Sequence, residues 1–156
     1  MLTQKETNLL NDLKKDEQIC IEKYNKYSSS ASSPQLKSLF QQLGQQEQQH
    51  LNSINQILSG TVPNVNMNNS GAATSNAQAQ NSAQPSNYTD TANKQNDSYL
   101  CTDTLSTEKY VSSGYNTSIF EFQDSNVRNV LNHIQKEEQE HGKAIYDYMA
   151  QNGMYN

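Results

Sequence analysis

The sequence carries one short pattern twice: a glutamate followed three residues later by a histidine, at Glu47 and His50 and again at Glu138 and His141. The two copies lie 91 positions apart, and this single offset aligns the first half of the chain with the second without a gap. The aligned pairs include acidic, aromatic and apolar residues: Glu17 with Glu108, Tyr24 with Tyr115, Leu36 with Val127, Leu39 with Val130, Phe40 with Leu131, Leu43 with Ile134, Ile54 with Ile145 and Leu58 with Met149. The chain therefore consists of two copies of one helix–turn–helix unit, which restricts it to folds with two similar halves.

Each Glu-x-x-His pattern lies within an apolar stripe. Leucine, isoleucine, valine and phenylalanine recur around both motifs at spacings of three and four residues, as on one face of an α-helix. The motif side chains belong to that face, so they are expected to point into the core. An unpaired charge in a core costs on the order of several kcal/mol, and these groups therefore need partners there.

Start and stop signals divide the chain into four predicted helices. The helices span about 3–27, 34–59, 97–115 or slightly further, and 125–151. Thr3 and Glu6 form a capping-box pattern, Pro34 suits the first position of a helix, and Gly60 suits a helix end. Gly114, after a serine, is a weak point near the end of the third predicted helix.

The segment 60–96 separates a first hairpin at 1–59 from a second at 97–156, and the two hairpins are predicted to form one bundle. It is rich in Asn, Ser, Ala, Gln and Thr and has no apolar periodicity, which predicts a flexible linker. Such a linker is long enough to follow a helix of about 38 Å from end to end. The sequence thus predicts an all-α, ferritin-like four-helix bundle of two antiparallel hairpins joined by a long crossover. The same slack would let two chains exchange hairpins in a dimer.

The composition argues against several classes of protein. The net charge of −5 gives no reason to expect a nucleic-acid partner. No apolar run is long enough to cross a bilayer, and the polar N-terminus lacks the apolar region of a signal peptide. We therefore expect no transmembrane segment and synthesis in the cytoplasm without a signal peptide.

The acidic and imidazole side chains of the four stripes match a known ligand pattern. Ferritin-like di-iron and di-manganese proteins use one glutamate from each of two helices and Glu-x-x-His from each of the other two. This chain supplies all six residues: Glu17, Glu47, His50, Glu108, Glu138 and His141. Two divalent ions would balance four carboxylates, and oxygen and imidazole ligands suit iron or manganese. The expected arrangement has bridging motif glutamates, one chelating lone glutamate per ion and one capping histidine per ion.

Several readings of these residues stay open at this stage. A degenerate bundle could retain the six side chains without binding metal. In the fourth helix Glu137, Glu138 and Glu140 all fit the spacing, and only the repeat selects Glu138. His133 lies off the stripe and is expected at the surface.

Four further residues of the stripes have two readings each. Tyr24 and Tyr115 are either redox neighbours of the site or core residues whose hydroxyls have a partner. Cys20 and Cys101 align with apolar residues and are expected to be buried free thiols, although Cys20 could line the site.

The second half also resembles a known family. Its characteristic runs are Tyr-Leu-Cys-Thr-Asp at 99–103, Thr-Glu-Lys-Tyr at 107–110, Leu-Asn-His-Ile-Gln-Lys-Glu-Glu-Gln-Glu-His-Gly at 131–142, and the closing residues at 148–149 and 152–155. These runs closely resemble the Coat F family of spore coat proteins, and the first half resembles the N-terminal hairpin of that family. The resemblance implies a ferritin-like fold and a location in the spore coat of an endospore-forming bacterium. It leaves the chemistry open.

Two functions follow from these observations. In the first, the protein is a coat or coat-associated component with a ferritin-like dinuclear metal site, and its partners are other coat proteins or a second copy of itself. In the second, it is a di-iron or di-manganese redox enzyme that acts on peroxide or dioxygen, as a catalase or an oxidase does. The chain has no rubredoxin-type cysteine cluster to deliver electrons, which disfavours a rubrerythrin-like peroxidase.

Overall fold

The computed structural model describes residues 1–65 and 85–155, and within these ranges it contains four helices and no strand. The helices are α1 (Gln4–Ser30), α2 (Pro34–Leu58), α3 (Thr91–Glu121) and α4 (Ser125–Gln151). α1 packs against α2 and α3 against α4, and the two hairpins then join through α1 with α3 and α2 with α4. The predicted all-α four-helix bundle of two hairpins is confirmed.

Local sequence signals set most of the helix ends. The Thr3 side chain caps α1, and Glu6 bonds back to the Thr3 backbone, which completes the predicted capping box. Ser33 caps α2 with Pro34 at its first turn, and Asp124 caps α4 through two backbone N–H groups. Gly60, which follows α2, has the positive φ of 88° that favours glycine.

The chain leaves α2 at one end of the bundle and enters α3 at the other. Leu58, the last residue of α2, packs in the same apolar cluster as Leu2 and Ile119, which lie at the start of α1 and the end of α3. At the opposite end, the Asp97 carboxylate near the start of α3 accepts hydrogen bonds from the backbone N–H groups of Ser32 and Ser33 at 2.7 and 2.9 Å. The connection between the hairpins therefore joins opposite ends of the bundle, as a crossover does.

The prediction of a linker over 60–96 is wrong for its last residues. α3 begins at Thr91, because the Asp90 side chain caps it. Ser86 and Tyr88 precede this cap and are fixed by tertiary hydrogen bonds: the Ser86 backbone N–H donates to Asn152 at 2.8 Å, and the Tyr88 hydroxyl donates to Asp97 at 2.7 Å. The central part of the predicted linker, 66–84, lies outside the described residues.

α3 also extends further at its C-terminal end than predicted. It continues through Gly114 to Glu121 for a total of 31 residues. At Gly114 the helix lies close to α1, since an added Cβ would meet Leu13 at 3.5 Å. Packing on α1 therefore compensates for the low helix propensity of glycine. Of the apolar residues after this point, Phe122 is buried and Phe120 is 83% exposed.

The core consists of two apolar clusters, one towards each end of the bundle. One contains Leu10, Leu13, Cys20, Ile54, Ile57, Val111, Tyr115, Phe122, Val127, Val130, Leu131 and Ile134. The other contains Tyr24, Ala31, Leu36, Leu39, Phe40, Leu43, Leu100, Cys101, Ile145, Tyr148 and Met149. Both cysteines are buried free thiols, as predicted. None of the four described helices is both long and apolar enough to cross a membrane.

Candidate metal centre

Between the two apolar clusters, α2 and α4 bring their Glu-x-x-His motifs face to face. Glu47 and Glu138 are 0% and 1% exposed, and each lies near the middle of its helix. The histidine rings stack with centroids 5.4 Å apart and an interplanar angle of 15°. α2 and α4 run in opposite directions, so each histidine reaches the glutamate of the other hairpin as well as its own.

Both histidines direct Nδ1 towards the shared carboxylates. His50 Nδ1 lies 3.0 Å from Glu47 Oε2 and 3.0 Å from Glu138 Oε1. His141 Nδ1 lies 3.1 Å from Glu47 Oε1 and 3.5 Å from Glu138 Oε2. Both oxygens of each carboxylate therefore face a histidine, one oxygen towards each side of the centre.

The lone glutamates complete the two sides. Glu17 Oε2 lies 3.7 Å from His50 Nδ1, and Glu108 Oε2 lies 3.8 Å from His141 Nδ1. Their other oxygens accept hydrogen bonds from tyrosines of the opposite hairpin: the Tyr24 hydroxyl donates to Glu108 Oε1, and the Tyr115 hydroxyl donates to Glu17 Oε1. Each lone carboxylate thus has one oxygen held by a phenol and one directed into the centre.

Burial and mutual contact shift the pKa values of all six side chains. Burial raises the pKa of Glu17 to about 8, against the opposing hydrogen bond with His50, and raises the pKa of Glu108 well above its usual range. Burial also opposes ionisation of Glu47 and Glu138, but hydrogen bonds with the histidines outweigh it and lower the pKa of both carboxyls.

The pKa values of the two histidines are raised. Burial disfavours the imidazolium form, but the surrounding carboxylates outweigh it and raise the pKa of His50 and His141 well above the ordinary value. The raised pKa values of the lone glutamates and of the histidines favour bound protons in the cluster, which offset the negative charge of Glu47 and Glu138. The same site would lose these protons to accept cations.

The donor atoms form two overlapping groups, each of which could hold a metal ion. Glu17, Glu47, His50 and Glu138 each offer one ligand atom within 4.8 Å of the others, and so do Glu47, Glu108, Glu138 and His141. The two groups share Glu47 and Glu138. Within the described residues, four buried polar atoms of the centre have no hydrogen-bond partner: Glu17 Oε2, Glu108 Oε2, Glu138 Oε2 and His141 Nε2. Buried polar groups without partners are rare, and three of these four are oxygens suited to a hard cation.

The structure brings all six sequence-predicted residues into one buried cluster. That they bind metal remains a prediction. His133 is 37% exposed and lies outside the cluster, as expected. The Cys20 thiol is buried, and burial raises its pKa strongly, so it is not a reactive thiolate.

Sequence reasoning missed two features of the centre. It did not assign Glu137, whose Oε2 lies 2.9 Å from His50 Nε2. It also left the tyrosine hydroxyls without a specific partner. A signal for the tyrosines was present, because Tyr24 and Tyr115 follow the lone glutamates at the same spacing in both halves.

Comparison with known families identifies the second hairpin. Residues 96–156 match the family model described as the Coat F domain. The matched range contains nearly all of α3 and the whole of α4, and with them Glu108, Glu138 and His141. No curated protein matches the chain.

Proposed function

The second hairpin is a Coat F domain, and from this premise we propose that the protein is a spore coat or coat-associated component. Its ferritin-like bundle holds two iron or manganese ions. The Coat F match supports the location. The observation that carries the metal site is the pair of overlapping four-residue groups, which share two carboxylates and contain oxygens without hydrogen-bond partners. The crossover between opposite ends of the bundle supports the ferritin-like arrangement.

The ligand assignment follows from the side-chain positions. Glu17 and His50 belong to one ion position, which we call the His50 position. Glu108 and His141 belong to the other, the His141 position. The Glu47 and Glu138 carboxylates bridge the two positions, since each faces both histidines.

The lone glutamates would each provide one oxygen rather than chelate. The second oxygen of each is held by a tyrosine hydroxyl from the other hairpin. Burial is the largest cause that raises the pKa of both tyrosines well above the usual value, so the phenols keep their protons and remain donors. Each position would then offer an ion about four protein ligand atoms, which would leave room for small ligands.

Bound ions of this type supply Lewis-acid and redox chemistry towards small oxygen species. The surrounding chain supplies position, exclusion of water and stored protons. Apolar clusters cover the centre from both ends of the bundle. Among the groups that hydrogen-bond to the histidines, Glu137 is the most exposed at 33%, and it lies beside the His50 position.

The second candidate function is a redox enzyme acting on peroxide or dioxygen. It is favoured by the two phenols bonded directly to the lone glutamates, and by the small number of protein ligand atoms, which would leave room for small ligands. A structural coat component needs neither feature. We rank it second because the Coat F match supports a location and indicates no reaction.

Metal analysis of protein produced with iron or with manganese tests the proposal. We expect about two ions per chain for the wild type and none for the double variant Glu47→Gln with Glu138→Gln, which keeps the side-chain volumes. Less than one ion per wild-type chain, unchanged in the variant, would overturn the metal site. A peroxide-consumption assay of the loaded protein then separates the two functions: turnover supports the enzyme, and two ions without turnover support the coat component.

Extraction of spore coats tests the location separately. The protein should appear in the coat fraction of an endospore-forming bacterium that expresses a tagged copy. Recovery only from the spore core would contradict the coat assignment whatever the metal content.

A further inference from the structure

The two histidines of the centre are equivalent by the repeat, yet their outer nitrogens differ. His50 Nε2 lies 2.9 Å from the Glu137 carboxylate of α4. His141 Nε2 is buried and has no hydrogen-bond partner among the described residues. Both Nδ1 atoms, in contrast, face carboxylates of the centre at about the same distances. The two histidines therefore match in the contacts of Nδ1 and differ in the contacts of Nε2.

The sequence explains the difference. At the offset of 91, Glu137 corresponds to Gln46, which lies half-buried on α2. His133, which is 3.5 Å from the other oxygen of Glu137, corresponds to Gln42. α4 therefore presents the Glu137 carboxylate to His50, with His133 beside it, whereas α2 has two uncharged glutamines at the matching positions.

A carboxylate on the outer nitrogen changes a histidine as a metal ligand. It fixes the ring proton on Nε2 and leaves the lone pair of Nδ1 for the metal. It also makes the imidazole a stronger base and holds the ring in place. Loss of such a partner typically weakens metal binding about 10- to 100-fold.

We propose that Glu137 is a positioning residue that makes the two metal positions unequal, so that the His50 position binds its divalent ion first and more tightly. This inference rests on the proposed metal site and goes beyond it, since the six ligands alone are symmetric. The preference for the His50 position arises because residue 137 carries a carboxylate and the corresponding residue 46 does not. Exchange of the two residues should therefore move the preference to the His141 position.

Calorimetric titration of the metal-free protein with Mn²⁺ tests the inference. The wild type should bind two ions in two steps of different affinity. Glu137→Gln keeps the size and removes the charge, and it should weaken the tighter step about 10- to 100-fold. Gln46→Glu should strengthen the weaker step. Glu140→Gln is the matched control, because Glu140 lies on the same helix and is 49% exposed, and it should change neither step.

A spectroscopic readout separates positioning from a general effect on the fold. In the protein loaded with diamagnetic Zn²⁺, the proton on His50 Nε2 should give a protected NMR signal that shifts in Glu137→Gln. The His141 signals should stay in place. The melting temperature of the metal-free variant should remain within a few degrees of the wild type, since Glu137 is partly exposed.

The outcomes distinguish this inference from the proposed function. Two equal binding steps in the wild type, or a Glu137→Gln variant that binds as the wild type does, would overturn the role of Glu137 and leave the dinuclear site intact. A wild type that binds no Mn²⁺ at all would overturn the metal site and the inference together.

Discussion

The first and second hairpins contribute equally to the centre but differ around it. Each supplies one lone glutamate, one Glu-x-x-His motif and one tyrosine, and each tyrosine donates to the lone glutamate of the other hairpin. Beside the motifs the two halves differ at individual positions, because Gln46 and Gly44 of α2 correspond to Glu137 and Gln135 of α4. The comparison teaches that the duplicated pattern covers the cluster and much of the core, while single differences beside the centre can give each half its own properties.

The largest expected effect separates bridging from lone glutamates. Glu47→Gln or Glu138→Gln should abolish binding of both ions, because each carboxylate serves both positions. The loss of metal affinity should exceed the roughly 100-fold that is typical when a hydrogen-bond partner of a metal ligand is removed. Glu17→Gln or Glu108→Gln should remove about one ion each. Stoichiometry from Mn²⁺ titration measures the difference, with circular dichroism as a control for folding. Loss of a single ion in Glu47→Gln would break the assignment of bridges.

The next effect is the pH dependence of the metal-free protein. Folding raises the pKa of Glu17 from 4.5 to about 8, mainly through burial. Between these two pH values the Glu17 carboxyl is ionised in the unfolded chain and neutral in the folded protein, so the folded state loses stability as the pH rises. The raised pKa of each histidine acts in the same direction, because stabilisation by the imidazolium is lost above about pH 6.5. The melting temperature should fall between pH 5 and pH 9 by on the order of 10 °C.

A matched variant shows whether the centre causes this pH dependence. Glu17→Gln with Glu108→Gln replaces the two carboxyls with neutral groups and should give a flatter profile over the same range. Bound Mn²⁺ should reverse the trend, since metal and protons compete for the same atoms. An equally steep profile in the double variant would assign the pH dependence to groups outside the centre.

The tyrosine pair gives a smaller and symmetric effect. Tyr24→Phe and Tyr115→Phe each leave a buried carboxyl oxygen without its donor, which costs about 1–3 kcal/mol in the free energy of unfolding. Urea unfolding of the metal-free protein measures both. Tyr27→Phe is the control, because the Tyr27 hydroxyl bonds to Asp103 near the surface at 2.8 Å, and it should cost less. Costs that differ widely between Tyr24→Phe and Tyr115→Phe would show that the hairpins are not equivalent here.

The smallest effect concerns two glycines inside helices of the two hairpins. At Gly142 an added Cβ meets Leu105 at an ordinary 3.5 Å, so Gly142→Ala should stabilise the protein by about 0.5–1 kcal/mol. At Gly44 the added Cβ meets Tyr24 at 3.2 Å, which is tight and next to the centre. Gly44→Ala should therefore gain nothing or destabilise. Thermal unfolding compares the two variants, and equal gains would show that α1 and α2 are not packed as closely as described.

Much of the fold and all six cluster residues could be predicted from the sequence. The reason is that the offset of 91 fixed the register of both halves, and helical periodicity then placed Glu17 and Glu108 on buried stripes. The start of α3 could not be predicted, because residues 91–96 are polar and have no apolar period. Their helix depends on the Asp90 cap and on Asp97, whose partners Ser32 and Ser33 lie about 65 residues earlier.

Glu137 could not be predicted for a different reason. The repeat selected Glu138 and, by the same comparison with α2, discarded Glu137, whose counterpart is Gln46. An asymmetric partner is invisible to an argument from symmetry. The tyrosine bonds between hairpins likewise required the antiparallel packing of α1 on α3, which no spacing within one helix reveals.

Anomalous diffraction from crystals of the manganese-loaded protein tests the central claim most directly. The account predicts two peaks about 3.5–4 Å apart, both between Glu47 and Glu138, one beside His50 and the other beside His141. A single peak, or peaks only at surface carboxylates, would contradict it.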